Sequence, residues 1–478
     1  MTRLSKFNRF SQNEDGKEPS AAAVHGLSKE QSAVLLSSAP VKQVIAAAGS
    51  GKTRTVIQLA SQVLSGPSAR WEAQNARLED SARRPLLLLT FSRKACSEMR
   101  ERLPDAAKDR ADVNTFHGFC FRTIRLHYPG GAHYKIVDEE EKIEILKPLF
   151  RRYRYEIGGI PYALLLANPG YFRQEFPEAA FRIFRYWEQY KQKHKCLEYQ
   201  DLIRMTLSGL RKAWSSAATE GGASSWAAGL AGSYHTIIVD EFQDTDPAQL
   251  EFLKLMKPQK LVVVGDDWQS IYSFRGADVR PFLDFRSHFP ETRKFFLSVN
   301  YRSLPSIVEA GNRLIKQSSG QIRKKVRARR QDRSAAAFCV VAGKETEREV
   351  LEKLALYKSD RVVLCRSNHR RNQWLEAGVA EANCLTVHRA KGLEFSMVLL
   401  DVLGGWSGAS DPDSRNEEIR IAYVALTRAK NLFIALGKSE YGNKTGDAFI
   451  WAQLFQRFCQ KTSFKQLQRR IATETNRS

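Results

Sequence analysis

Strands in this chain announce themselves as apolar runs rather than as alternating patterns. Val41 to Ala48 carries β-branched and small apolar residues into a glycine turn, and reads as a buried strand. Helical spacing follows from Thr53 to Leu64, and a second buried strand is expected at Leu86 to Thr90. The helix Lys94 to Arg102 comes next, limited by Pro104. Leu27 to Ser37 is helix-capable, and Asp112 to Arg211 reads as mostly helical, rich in aromatics and arginine. The Ser/Ala/Gly-rich stretch Trp214 to Gly232 reads as a surface connection. Strands return at Thr236 to Val239 and Leu261 to Val264, each ending in acidic residues, and at Lys294 to Leu297. A later set is expected at Val362 to Leu364, Cys384 to Val387, Met397 to Leu400 and Leu432 to Leu436. Strands alternating with helices in two blocks predict an α/β protein with two parallel-sheet domains, the long helical stretch being an insertion into the first.

Composition narrows the class. The 478 residues leave room for about three domains. Lys and Arg number 75 against 52 Asp and Glu, a net charge of +23 that suits a polyanionic partner, most simply nucleic acid. No apolar run approaches the roughly 18 residues of a membrane span, and Met1 to Ser20 lacks the apolar centre of a secretory signal. The seven cysteines are scattered and include no CxxC pair, so a cytoplasmic, reducing-compartment protein without a structural metal is expected. Arg323 to Arg330 is very basic, which fits either a solvated helix face or a phosphate contact.

The first chemical motif lies between a strand and a helix. Ala46 to Thr53 reads AAAGSGKT, and phosphates need backbone N–H groups, a helix N-terminus and a positive charge. Ala48, Gly49, Ser50 and Gly51 would form the curl, Lys52 would reach the β- and γ-phosphates, and the Thr53 hydroxyl would bind Mg²⁺. Asp240 and Glu241 end the strand Thr236 to Val239. Asp240 would hold Mg²⁺ through water, while Glu241 would orient and deprotonate an attacking water.

These motifs belong to an ordered series. LSKEQ at Leu27 to Gln31, GSGKTR at Gly49 to Arg54, TFSRKA at Thr90 to Ala95, TFHGF at Thr115 to Phe119 and VDEFQDT at Val239 to Thr245 occur in turn. GDDWQSIYSFRGA at Gly265 to Ala277, NYRS at Asn300 to Ser303, TVHRAKGLEF at Thr386 to Phe395 and AYVALTRA at Ala422 to Ala429 complete it. The chain thereby resembles superfamily 1 helicases of the UvrD/Rep/PcrA type. The resemblance implies a P-loop NTPase fold of two RecA-like domains and an ATP- and Mg²⁺-dependent translocase or helicase on single-stranded DNA, moving 3′→5′. It also implies site roles. Gln31 and Arg54 would flank the adenine and Tyr301 would stack on it; Gln269 would sense the γ-phosphate. Arg302 and Arg428 would be arginine fingers from the second domain, and Gly392 and Glu394 would contact the ribose or phosphates.

Thr90, Phe91, His117, Trp268, Tyr272, Phe274, Arg275 and His388 mix aromatics with polar donors and are the candidate single-strand contacts. Core packing is the expectation for Phe119, Phe121 and Phe395 and stays open for Phe91. Trp268 stands where relatives often carry an acid, which either strengthens stacking or fills a local pocket. Expected boundaries are a mobile tail at 1–26, a nucleotide-binding domain at 27–96 and 233–293, and a helical insertion at 97–232. A second RecA-like domain at 294–460 and a basic tail at 461–478 complete the chain. Only 18 positions separate Asn368 from Thr386, where larger relatives insert a further domain, so that domain is expected to be missing. The rival reading is a nucleic-acid-gated regulatory ATPase that acts beside a partner such as a nuclease without processive unwinding; the residues leave RNA open as a substrate.

Overall fold

A computed structural model describes residues 26–65, 84–216, 226–273, 277–332, 334–342, 346–354, 356, 358, 360–408, 411–438 and 447–475. The expected N-terminal tail lies outside these residues but for Gly26, as do Phe274 and Arg275. Two six-stranded, all-parallel sheets organise the rest. The first contains β1 (Val41–Ala46), β2 (Arg84–Thr90), β3 (Ala111–Thr115), β4 (Tyr234–Val239), β5 (Lys260–Gly265) and β6 (Thr292–Leu297). The second contains β7 (Ala337–Ala342), β8 (Arg361–Cys365), β9 (Cys384–Thr386), β10 (Phe395–Asp401), β11 (Ala429–Lys438) and β12 (Gln460–Lys461). Their spatial orders are β3-β2-β4-β5-β1-β6 and β9-β8-β10-β11-β7-β12, so the same order is used twice. The α/β class with two RecA-like sheets is thus as the motif series implies.

The apolar runs follow from this architecture, because a parallel sheet is covered by helices on both faces. Successive side chains point to opposite faces. Leu86, Leu88, Ile238, Val262 and Val264 enter one core of the first sheet, while Leu87, Leu89, Ile237, Val239, Leu261 and Val263 enter the other. In the second sheet Val363, Leu399 and Ile434 face one core, and Val362, Leu364, Val398 and Phe433 face the other. That last core also takes in Ala47, Ala48, Trp268 and Ile271, which follow β1 and β5. The two sheets are therefore joined by a shared apolar core, and loops from both open onto one cleft.

Several expected boundaries move. Ala111–Thr115, expected within a helical stretch, is a strand paired with β2 from Leu86↔Ala111 to Thr90↔Thr115. Helices Phe116–His127 and Tyr199–Ser216 pack into the first sheet's core through Phe119, Ile124, Leu202 and Leu210. A separate core built from Leu146, Phe150, Phe172, Ile183 and Trp187 belongs to the intervening helices, closed at its neck by Lys135–Ile136 pairing with Cys196–Leu197. By this core we place the insertion at 135–197 rather than 97–232. Thr292–Leu297 pairs with β1, so the first domain extends past 293. The expected C-terminal tail is instead β12 and the helix Phe464–Thr475, whose Leu467 and Ile471 enter the second sheet's core. Between β8 and β9 lie only the helix Asn368–Glu376 and the turn Glu381–Asn383. Among the described residues, no helix is long and apolar enough to cross a membrane.

Candidate nucleotide and nucleic-acid sites

Parallel strands deliver their C-terminal loops to one edge, where ligands of open α/β sheets bind. The loops after β1, β4, β5 and β6 meet there. Gly49 and Gly51 adopt φ of +67° and +83°, the left-handed region that glycine tolerates. A Cβ on Gly49 would lie 2.7 Å from Asn300 Nδ2, and one on Gly51 would lie 2.6 Å from Gln31 Nε2. Neighbours hold the curl from outside. Asn300 Nδ2 donates to the Ala48 carbonyl at 2.8 Å, and the Tyr301 N–H donates to that of Gly49 at 2.8 Å. Gln31 Nε2 donates to the Ser50 carbonyl at 3.2 Å, while its Oε1 accepts from the Ser28 N–H at 3.0 Å. A helix-capping pair is thereby turned into a brace for the loop. Lys52 and Thr53 begin the helix Lys52–Ser65, so its N-terminus faces the same space.

Lys52 Nζ donates to both oxygens of Glu241, at 3.1 and 3.0 Å. Burial works against the Lys52 ammonium, but Glu241, Asp266 and Asp240 outweigh it and hold its pKa above the usual range. Burial likewise opposes the Glu241 charge; Lys52 and Lys391 outweigh it and hold the carboxylate well below its ordinary value. Glu241 is a non-glycine residue at φ +54°, a strained conformation that aims its side chain into the cleft. Asp240 behaves oppositely: burial and the charge of Glu241 push it well above the carboxylate range. Its buried Oδ1 has no hydrogen-bond partner among the described residues, nor has Ser50 Oγ. Unmatched oxygens beside a phosphate loop fit a hard, oxygen-seeking cation, with Asp240 and Thr53 as the residues that would hold it.

From the second sheet, Arg428 enters the cleft almost wholly buried. Its Nη2 donates to Gln269 Oε1 at 2.9 Å, its Nε to the Val424 carbonyl at 3.0 Å and its Nη1 to the Leu393 carbonyl at 3.3 Å. Burial and the nearby Arg302 lower its pKa to about 9, which still leaves it charged at neutral pH. Gln269 Nε2 donates to Asp266 Oδ2 at 2.6 Å, so Gln269 joins the acidic end of β5 to an arginine of the other domain. Arg302, expected from the second domain, stands on backbone tied to the phosphate loop of the first. Its guanidinium nevertheless reaches across, to Glu394 and to the Thr427 carbonyl at 2.9 Å. Arg302 and Lys430 hold Glu394 below the ordinary carboxylate range although burial opposes them.

The outcome is a cavity of about 770 Å³ between the sheets. Gln31, Gly49, Ser50, Gly51, Lys52, Thr53, Arg54, Glu241, Gln269, Tyr301, Arg302, Gly392, Glu394 and Arg428 all line it. Glu98 and Arg102 also line it, unforeseen because the helix Arg93–Arg102 carries no motif at that end. Other contributors went unassigned although they stand inside quoted motifs. Gln243 Nε2 donates to Glu241 Oε2 at 2.7 Å, and its Oε1 accepts from the Asp266 N–H at 2.9 Å. Lys391 bridges the domains, donating to Asp244 and to the Gln269 carbonyl at 2.8 Å. Burial pushes Asp244 up to about 6 against the pull of Lys391.

The single-strand candidates separate into groups. Phe91 is 38% exposed and stacks on Tyr272, with ring centroids 5.0 Å apart. Tyr272 lies 6.1 Å from the His388 ring and carries Lys391 Nζ 4.7 Å above its face. These three rings span both domains at the strand ends and adjoin the Lys391–Asp244 bridge, so Phe91 is not a core residue. Burial, then Arg366, lower the His388 pKa and favour a neutral ring. Thr90, next to Phe91 in the chain, is buried, its hydroxyl without a partner among the described residues. His117 stands apart against Tyr199, at 5.7 Å. Trp268 does not present a stacking face. It is 3% exposed, packs edge-on against Tyr423 at 5.5 Å and carries Lys324 Nζ 4.4 Å over its ring. Lys324 itself is pinned at 2.6 Å to both Asp266 and Asp267, which would otherwise stand buried and uncompensated. Trp268 thus fills a local pocket in this structure, and Lys324 is neither on a helix face nor free for phosphate.

Comparison with known proteins accords with this geometry. The UvrD/REP helicase N-terminal domain family matches residues 27–162 and 162–290, and the UvrD-like helicase C-terminal domain family matches 380–439. The chain is 26% identical over 467 residues to a Mycoplasma pneumoniae protein named Probable DNA helicase, covering 86% of this chain and 83% of that protein. It is 26% identical over 320 residues to proteins named ATP-dependent DNA helicase PcrA from Staphylococcus epidermidis and Staphylococcus aureus. That match covers 62% of this chain but 41% of theirs.

Proposed function

Because the chain belongs to the UvrD/REP helicase family, we propose that it hydrolyses ATP between its two sheets and thereby moves 3′→5′ along single-stranded DNA. The observation that carries this reading is the single cavity shared by Lys52, Glu241 and Gln269 of one domain and Glu394 and Arg428 of the other. Lys52 exchanges its contact with Glu241 for the β- and γ-phosphates of ATP, and so frees the carboxylate to orient and deprotonate water. Mg²⁺, when bound, neutralises charge on those phosphates. Arg302 and Arg428 supply planar positive charge where the leaving phosphate develops negative charge. Tyr301, at the cavity rim and 42% exposed, offers a ring for the base, beside Arg54 and Gln31.

Coupling to the strand runs through Gln269 and Lys391. Gln269 holds Arg428 by its side chain and Lys391 by its carbonyl. Lys391 in turn lies under Tyr272, which stacks on Phe91. Loss of the γ-phosphate shifts Arg428, and the same residues pass the shift to the aromatic face that grips bases.

Translocation requires only this two-domain motor, whereas holding a fork open needs a further grip on the junction. The 18 positions from Asn368 to Thr386 form one short helix and a turn, so this chain has no domain there to supply it. Stacking in duplex DNA averages about 1.4 kcal/mol per step, which a motor that slips must overcome repeatedly. Strand displacement by the isolated chain should favour 3′ overhangs and fall steeply with duplex length, measured under single turnover with a trap. Equal opening of 5′ overhangs, or processive opening of long duplexes by a demonstrated monomer, would overturn the reading.

A further inference from the structure

The basic segment Arg323 to Arg330 does two things at once. Its inward residues fix it in place: Lys324 is bound to Asp266 and Asp267, and Val326 is buried in the core shared by the domains. Its backbone is tied as well. The Arg327 N–H donates to the Ser298 carbonyl at 2.9 Å, the Arg329 N–H to that of Asn300 at 2.7 Å, and Asn312 Nδ2 to that of Val326 at 2.8 Å. Arg330 closes the segment against the Arg302 and Lys430 carbonyls, at 3.2 and 3.1 Å. The intervening residues Arg323, Lys325, Arg327 and Arg329 are all exposed. None of these four forms an ion pair among the described residues.

Four cations at every second position of an anchored segment recur at about 6.6 Å where the backbone is extended. Beside Arg327 and Arg329, the second half of the row, opens a groove of about 1280 Å³, lined also by Lys29, Tyr301 and Arg330. Its two acids are already engaged, Glu30 with Ser298 and Glu309 with Arg313. Among the described residues no carboxylate is paired with any of these four cations. The ring contacts of the Phe91–Tyr272–His388 face among the described residues run to one another and to Lys391, not to this row.

We propose that Arg323, Lys325, Arg327 and Arg329 form a second phosphate track, which binds nucleic-acid backbone outside the strand gripped between the domains. The proposal rests on the reading of the chain as a DNA motor. A preordered row loses little freedom on binding, unlike lysines on a mobile loop. Because its contacts are to phosphate, it adds affinity without sequence preference and makes that affinity salt-dependent.

The test replaces the four residues together by glutamine in the full chain, with Arg327→Gln/Arg329→Gln as a milder pair. Binding is measured across salt for a short oligonucleotide that fills only the interdomain cleft and for a strand several times longer. The log–log salt slope for the long strand should become shallower by up to about 3 units, at about 0.7 per phosphate released, and by about half that in the pair. The short strand should bind and stimulate ATP hydrolysis as before. An unchanged slope on the long strand, or equal losses on both strands, would overturn the track. So would polyglutamate displacing the long strand from the unaltered chain as well as competing DNA does, since that assigns the row to an acidic protein. Failure of the short strand to stimulate the unaltered chain would instead overturn the motor reading, independently of the track.

Discussion

Substituting Glu241 by glutamine is expected to lower the rate of ATP hydrolysis about 10²–10⁴-fold while nucleotide still binds. Among the described residues Glu241 is the one carboxylate bonded to Lys52, and Lys52 and Lys391 keep it ionised despite burial. Glutamine preserves its shape and its strained backbone position but cannot act as a base. Lys52 loses an ionic partner, which leaves its charge wholly for the phosphates, so affinity should hold or rise. Single-turnover hydrolysis, set beside equilibrium binding of a fluorescent nucleotide, separates the two effects. Hydrolysis at the unaltered rate would remove Glu241 from catalysis. A loss of binding equal to the loss of rate would assign it to holding the loop instead.

Removing Arg428 should cost still more. Arginine fingers contribute about 10³–10⁵ in rate, or roughly 4–7 kcal/mol of barrier. Arg428 makes contacts with Val424, Leu393, Thr427 and Gln269 at once, a spread of donors that only a planar guanidinium provides. Arg428→Ala should therefore collapse turnover with a much smaller change in nucleotide affinity, and Arg428→Lys should fail to restore it. Because the residue is buried, thermal melting of both variants must accompany the kinetics. Turnover preserved in a folded Arg428→Ala variant would contradict its placement at the reacting phosphate, as would a fall in affinity alone.

Much of this was legible in the sequence for a physical reason. A strand buried on both faces must be apolar throughout, so β2, β4 and β5 stand out without knowledge of their neighbours. Gly49 and Gly51 are demanded by left-handed backbone angles as well as by the close approach of Asn300 and Gln31. What escaped depends on partners distant in the chain. Ala111–Thr115 (ADVNT) carries polar residues and reads as a strand only once β2 lies beside it. Ala337–Ala342 went unmarked although five of its six residues are buried, and it forms the counterpart of β1 in the second sheet. Trp268, an aromatic inside a motif beside polar residues, reads in the sequence as a candidate strand contact. Lys324 and Tyr423, remote in sequence, bury it. Lys324 shows the same limit from the other side, since composition cannot tell which cation in a basic run turns inward to meet two carboxylates.

If a single strand on the Phe91–Tyr272–His388 face governs ATP turnover in the cavity, hydrolysis must depend on DNA through that face. The deciding measurement is steady-state ATP hydrolysis by the full chain, with and without single-stranded DNA at saturating ATP and Mg²⁺. Basal turnover should be low and rise strongly with single strands, and a Tyr272→Ala change, remote from the phosphates, should leave the basal rate but abolish the stimulation. Turnover that is the same with and without DNA would contradict that dependence.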